Sequence, residues 1–133
     1  MPKRHQLSRR KGARKPPGVV SVARPGKYGN PWSVKQCAAS DALAGLWIVK
    51  LGHIVASGGF RSRLDALDRA VDLHRQWVAR MAVDELDRRF GSLRGCDLAC
   101  WCPLDRPCHA DTLIEVANRP GVDRGPKPTP AGC

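Results

Sequence analysis

The sequence predicts a small single-domain α/β protein, with a short, mostly parallel sheet covered by helices and a flexible basic arm at the N-terminus. Three observations lead there. Two β-type runs, residues 18–23 (GVVSVA) and 97–102 (DLACWC), lie far apart in a chain of 133 residues, a length that suits one domain. Helical periodicity fills the stretch before the second run and resumes directly after it. The order strand, loop, variable middle, helix, strand, helix belongs to an α/β layer in which the two strands lie side by side under the long helix.

Taken in order, residues 1–17 are basic, contain Pro16 and Pro17 and lack apolar periodicity, so a disordered arm is expected. Residues 18–23 are rich in Val and read as a strand. Arg24 to Trp32 holds two glycines and two prolines in nine residues and reads as a loop. Residues 46–57 contain two apolar β-type runs around Lys50 to His53, which suggests a hairpin, although a helix starting at Asp41 could claim part of the first run.

The clearest helix follows. Leu64, Leu67, Val71, His74, Trp77, Val78 and Met81 recur at spacings of three and four, and Ser62 with Asp65 can cap the start. A second short helix is expected from Asp84 to Phe90, ended by Gly91. Asp97 to Cys102 is then a strand, a turn spans Pro103 to Pro107, and a last helix runs from about Cys108 to Ala117. Residues 120–133 form a tail rich in Pro and Gly, expected to be disordered and ending in Cys133.

Charge is distributed unevenly. Ten of the 23 Lys and Arg residues precede Asp41 and no acid does, whereas the remaining 13 face all 12 acids. The net charge of +11 thus belongs to the N-terminal segment. Such an arm is drawn to polyanions by counterion release, which makes nucleic acid or a nucleotide the expected partner, with a merely solvated tail as the bland alternative. No apolar run has the length of a signal peptide or membrane span, so a cytoplasmic chain without a membrane partner is expected. Six cysteines in that compartment read as metal ligands, reactive thiols or small buried residues before they read as disulfides.

Four of those cysteines fall within residues 93–111 (LRGCDLACWCPLDRPCHAD). Together with residues 24–32 (RPGKYGNPW), this segment resembles the family called domain of unknown function 4326, small proteins of actinobacterial phages and bacteria. The resemblance covers residues 18–119. It implies a family domain over that range and, for a phage-encoded chain, residence in the host cytoplasm with a host protein as a further possible partner. It marks Arg24, Pro25, Lys27, Gly29, Asn30 and Pro31 in the first motif, and Cys100, Trp101, Cys102, Pro103, Cys108, His109 and Asp111 in the second. Cys96 stands where relatives carry Lys or another polar residue. The family supplies no activity, so whether the chain is an enzyme stays open.

The residues themselves allow three chemistries. In the first, Cys108 at a helix start is an activated nucleophile, His109 is its base or acid, and Asp111 orients His109 or contacts the ligand. Arg24, Lys27 and Asn30 would then close the pocket around a nucleotide-like anion, at the sheet edge where α/β folds bind ligands. In the second, Cys100, Cys102, Cys108 and His109 hold a structural zinc ion. The donor types are right and the spacing is unusual, because alternate strand residues lie about 6.5–7 Å apart and adjacent Cys108 and His109 normally diverge. In the third, the cysteines are small core residues and Cys108 to Asp111 is a helix cap. Trp101 and Trp77 are expected in the core, as is His74. The oligomeric state has no signature in the sequence.

Overall fold

A computed structural model describes residues 2–24 and 26–119. The expected tail of residues 120–133, Cys133 included, lies outside the described residues. The chain divides into two compact units, one made of residues up to Gly29 and from Val78 onward, the other of Asn30–Trp77.

The first unit holds a parallel three-stranded sheet of β1 (Arg4–Gln6), β2 (Val20–Ser21) and β6 (Leu98–Cys100), ordered β1-β6-β2. The pairing expected between residues 19–23 and 97–102 is present, with Val20 opposite Leu98 and Ser21 opposite Ala99. All three residues of β6 are buried, as an apolar run at the centre of a parallel sheet should be. Against this sheet and one another pack α2 (Val83–Phe90), a 3-10 turn (Gly91–Leu93) and α3 (His109–Ala117). Leu86, Phe90, Leu93, Leu98, Leu113 and Val116 are buried there.

Strand β1 corrects the expectation of a disordered arm over residues 1–17. Arg4, His5 and Gln6 pair with Leu98, Ala99 and Cys100, and the ladder extends through Leu98 N donating to Lys3 O (3.0 Å) and Leu7 N donating to Cys100 O (2.8 Å). The strand has no apolar alternation because polar bonds hold it. Lys3 N and His5 Nε2 each lie 2.9 Å from an Asp97 carboxylate oxygen. Residues 8–18, further along the arm, are exposed.

The second unit holds an antiparallel sheet, β3 (Trp32–Gln36), β4 (Trp47–Leu51) and β5 (Ile54–Phe60), followed by α1 (Arg63–Ala79). This sheet corrects the expectation of a mostly parallel sheet, since one of the two sheets is parallel and the other antiparallel. Its hairpin was legible, and Gly52 at φ 62 supplies the left-handed residue that a two-residue loop needs in its first position. Strand β3 was not, since its alternation rests on Trp32 and Val34 alone, next to a loop rich in Gly and Pro. Ser62 Oγ accepts from Asp65 N (3.1 Å) and starts α1 where expected. The helix buries Ala66, Ala70, His74 and Val78, whereas Leu64 is exposed. Ala66 and Ala70 pack with Val49 against Trp32, Val34, Trp47, Phe60 and Leu73.

Candidate metal centre

Strand β6 ends at Cys100, and the chain bends through Trp101 and Cys102 into the turn of residues 103–107. That bend removes the obstacle of the 6.5–7 Å strand repeat. Cys102 leaves the strand, and its Sγ comes to 3.9 Å from Cys100 Sγ. Cys108 returns as the N-cap of α3, in extended conformation, with its sulfur accepting from Ala110 N at 3.5 Å. The three sulfurs all lie within 4.8 Å of one another. Ligands at about 2.3 Å from a tetrahedral zinc stand about 3.8 Å apart, so the observed cluster is close to the size of such a site.

His109 lies beside the triad. Its Nε2 lies 2.7 Å from Val22 O. A carbonyl can only accept, so Nε2 carries the proton and Nδ1 presents a lone pair. Nδ1 lies 3.7 Å from Cys108 Sγ, near the roughly 3.6 Å expected between a nitrogen and a sulfur on one tetrahedral zinc. The two adjacent residues therefore converge rather than diverge. Holding one ring N–H on a backbone carbonyl while the other nitrogen faces the ligand cluster is the usual outer-shell bond of a metal-bound histidine.

Proton sharing gives the cluster a pronounced polarity. Hydrogen bonds from the Cys102 and then the Cys108 thiol pull Cys100 strongly toward thiolate against the cost of its burial. The same contacts act oppositely on the donors. Cys102 is pushed up by its bond to Cys100, and Cys108 is pushed up by Cys100, by Cys102 and by burial.

The turn between Cys102 and Cys108 is clamped by a residue that sequence reasoning passed over. Arg4 sends Nη1 to Pro103 O (3.2 Å) and Nη2 to Leu104 O (3.0 Å) and Arg106 O (2.8 Å), while its Nε lies 3.1 Å from Asp111 Oδ1. Its side chain is only 8% exposed. One guanidinium fork therefore fixes the loop carrying the ligands and the first turn of α3. In sequence Arg4 is one of seven cations in the first 15 residues, with nothing to distinguish it.

The other expected site residues have different surroundings. Asp111 is occupied by Arg4, while His109 is oriented by Val22 O. Arg24 and Lys27 sit on an exposed loop of the first unit, where Lys27 Nζ lies 4.9 Å from the Tyr28 ring centroid and Tyr28 Oη bonds Ser92 Oγ at 2.8 Å. The loop folds tightly on itself, since a Cβ on Gly29 would come within 2.7 Å of Arg24 Cγ. Asn30 belongs to the second unit, where it is 6% exposed; its Nδ2 donates to Ala70 O (3.1 Å) and its Oδ1 accepts from Trp32 N (2.9 Å). Cys96 is buried outside the close triad. His74 is buried as expected, in edge contact with Trp77. Trp101, expected in the core, is 42% exposed.

Fold and site together define a mixed α/β protein with two small sheets and a cysteine triad able to hold a metal ion. No helix among the described residues is long and apolar enough to cross a membrane. The chain belongs to the family described as Domain of unknown function (DUF4326), whose model matches residues 5–119. That match begins inside β1, ahead of the expected boundary at residue 18. No curated protein and no solved structure matches the chain.

Proposed function

We propose that this protein is a noncatalytic, zinc-stabilised module that binds nucleic acid, with Cys100, Cys102 and Cys108 as sulfur ligands and His109 Nδ1 as the fourth. The observation that carries the reading is the convergence of three sulfurs within 4.8 Å from both sides of a clamped turn. Four protein ligands leave zinc no open position, the condition of a structural rather than a catalytic ion. The rival nucleophile fits less well, because Cys108 is 1% exposed and so closed to an incoming electrophile. Nucleic acid is the partner that suits the ten cations ahead of Asp41.

Metal analysis of protein purified without chelator tests the reading. About one zinc per chain is expected, and cobalt substitution should give thiolate-to-metal charge-transfer bands and tetrahedral d–d absorption. Metal-free protein with full native circular dichroism and a rapidly alkylated Cys108 would return the site to thiol chemistry.

A further inference from the structure

Between Cys100 and Cys102 the chain turns its sulfurs inward and the Trp101 indole outward. An indole left 42% exposed is unusual in a chain with seven aromatic residues from which to build its cores. Leu104, on the same turn, is also exposed. Trp101 forms one wall of an open groove of about 560 Å³, whose other walls are Gln6, Leu7, Ser8 and Arg9, the residues that follow directly from β1. The Arg9 guanidinium carbon lies 4.6 Å from the centroid of the Trp101 ring. Beyond Arg9 the exposed segment carries Arg10, Lys11 and Arg14.

We propose that this groove binds single-stranded nucleic acid, with one base stacked on Trp101 and Arg9 and the adjoining phosphates held by Arg10, Lys11 and Arg14. The proposal rests on the zinc-module reading, since the metal-held turn is what presents the indole.

The chemistry of the two walls selects the strand. An indole face returns stacking free energy only to a base whose own face is free, and in a duplex those faces are already covered by neighbouring pairs. The guanidinium lying over the indole shows that the ring takes a planar cationic partner, and a base stacked on this pair gains positive charge near its own phosphates. The groove volume lies within the roughly 300–1,000 Å³ range of small-ligand sites, enough for a base and too little for a helix about 20 Å across. Stacking is tolerant of base identity, so little sequence preference is expected. Nothing in the geometry calls for a covalent step.

The test uses the full metal-loaded chain with fluorescein-labelled oligo-dT and oligo-U and, separately, a labelled duplex of equal length, followed by anisotropy over a series of salt concentrations. Trp101→Ala should weaken single-strand binding by about tenfold or more, Trp101→Phe should restore most of it, and neither should alter the salt slope. Replacing Arg10, Lys11 and Arg14 with Ala should reduce that slope instead. Wild-type affinity in Trp101→Ala, or equal losses on single strand and duplex, overturns the proposal. Zinc content of each variant separates the two readings. A metal-loaded Trp101→Ala with unchanged binding sinks only the stacking site, whereas metal-free wild-type protein that still loses binding on Trp101→Ala sinks only the zinc.

Discussion

The two units reach stability by different means. Asn30–Trp77 has strands of five to seven residues and most of the 17-residue helix α1, closed over Val49, Ala66 and Ala70 by Trp32, Trp47, Phe60 and Leu73. The other unit has strands of two and three residues, one of them wholly polar, and its sheet is tied by Asp97, by the Arg4 fork and by the sulfur cluster. That unit has an apolar core of its own, with Leu86, Phe90, Leu93, Leu98, Leu113 and Val116 buried, but strands of two and three residues add few ladder bonds, and small sheets of that kind commonly rely on a staple. The contrast is between strands long enough to hold by their own ladder and very short strands tied by polar side chains and a sulfur cluster.

The largest effect should come from removing the zinc proposed at the cysteine triad. Chelation, or Cys108→Ser, should strip amide exchange protection from β6 and α3 and leave the centre of β4 protected. Structural zinc commonly contributes on the order of 10 kcal/mol of apparent binding free energy, more than a sheet of eight residues can replace. Hydrogen exchange read residue by residue checks this. Equal loss in both units would erase the contrast.

A smaller effect, on the opposite side, should follow Val49→Ala. Val49 is fully buried in the antiparallel sheet, and truncating it should cost roughly 2 kcal/mol through lost transfer free energy and a residual cavity. Denaturant unfolding measures the loss. Zinc content and cobalt spectrum should stay as in the wild type, since no ligand belongs to that unit.

Arg4→Ala comes next and sharpens the account of the clamp. Removing a guanidinium that satisfies three carbonyls and a carboxylate should weaken metal affinity by about 10- to 100-fold, the usual scale for groups that orient ligands. Arg4→Lys should rescue little, because an ammonium lacks the planar fork that reaches both the turn and Asp111. Competition against a chelator of known affinity gives the number. An unchanged affinity would mean that the turn holds itself.

These differences follow what a linear sequence can encode. Helix α1, its Ser62 cap, the Gly52 hairpin and the pairing of β2 with β6 were legible, because each rests on local periodicity, capping chemistry or a run of Val. Strand β1 was not, because its stability comes from partners more than 90 residues away: Asp97 for Lys3 and His5, and the carbonyls of Pro103, Leu104 and Arg106 for Arg4. Of the four metal-ligand candidates, Cys100, Cys102 and Cys108 bring their sulfurs within 4.8 Å of one another, and His109 Nδ1 lies 3.7 Å from Cys108 Sγ. Their convergence depends on the bend after Cys100 and on the Val22 carbonyl turning His109, neither of which leaves a mark in residue spacing. Trp101 was misplaced for a related reason, since alternation in an extended strand says nothing about a residue beyond the strand's end.

The smallest effect expected is a change with pH at the edge of the first unit. Asp97 accepts from His5 and from Lys3 N, and these bonds, His5 first, hold its carboxyl below the usual carboxylate range. The folded state therefore binds this proton less readily than the unfolded chain does. The linked stability is present above the unfolded value of about 3.9 and drains away as pH falls through the folded one. Because the pair is partly exposed, the contribution should be about 1 kcal/mol or less. Acidification below about pH 4 should release the amides of β1 before those of β4, and Asp97→Asn should make that early release independent of pH, with β1 already loosened at neutrality. Zinc held at the proposed site would be released in acid from both proteins, so the comparison is made between wild type and variant at each pH. If β1 and β4 open together in the wild type, polar bonds do not hold the first strand, and the division between the two units moves to the cysteines alone.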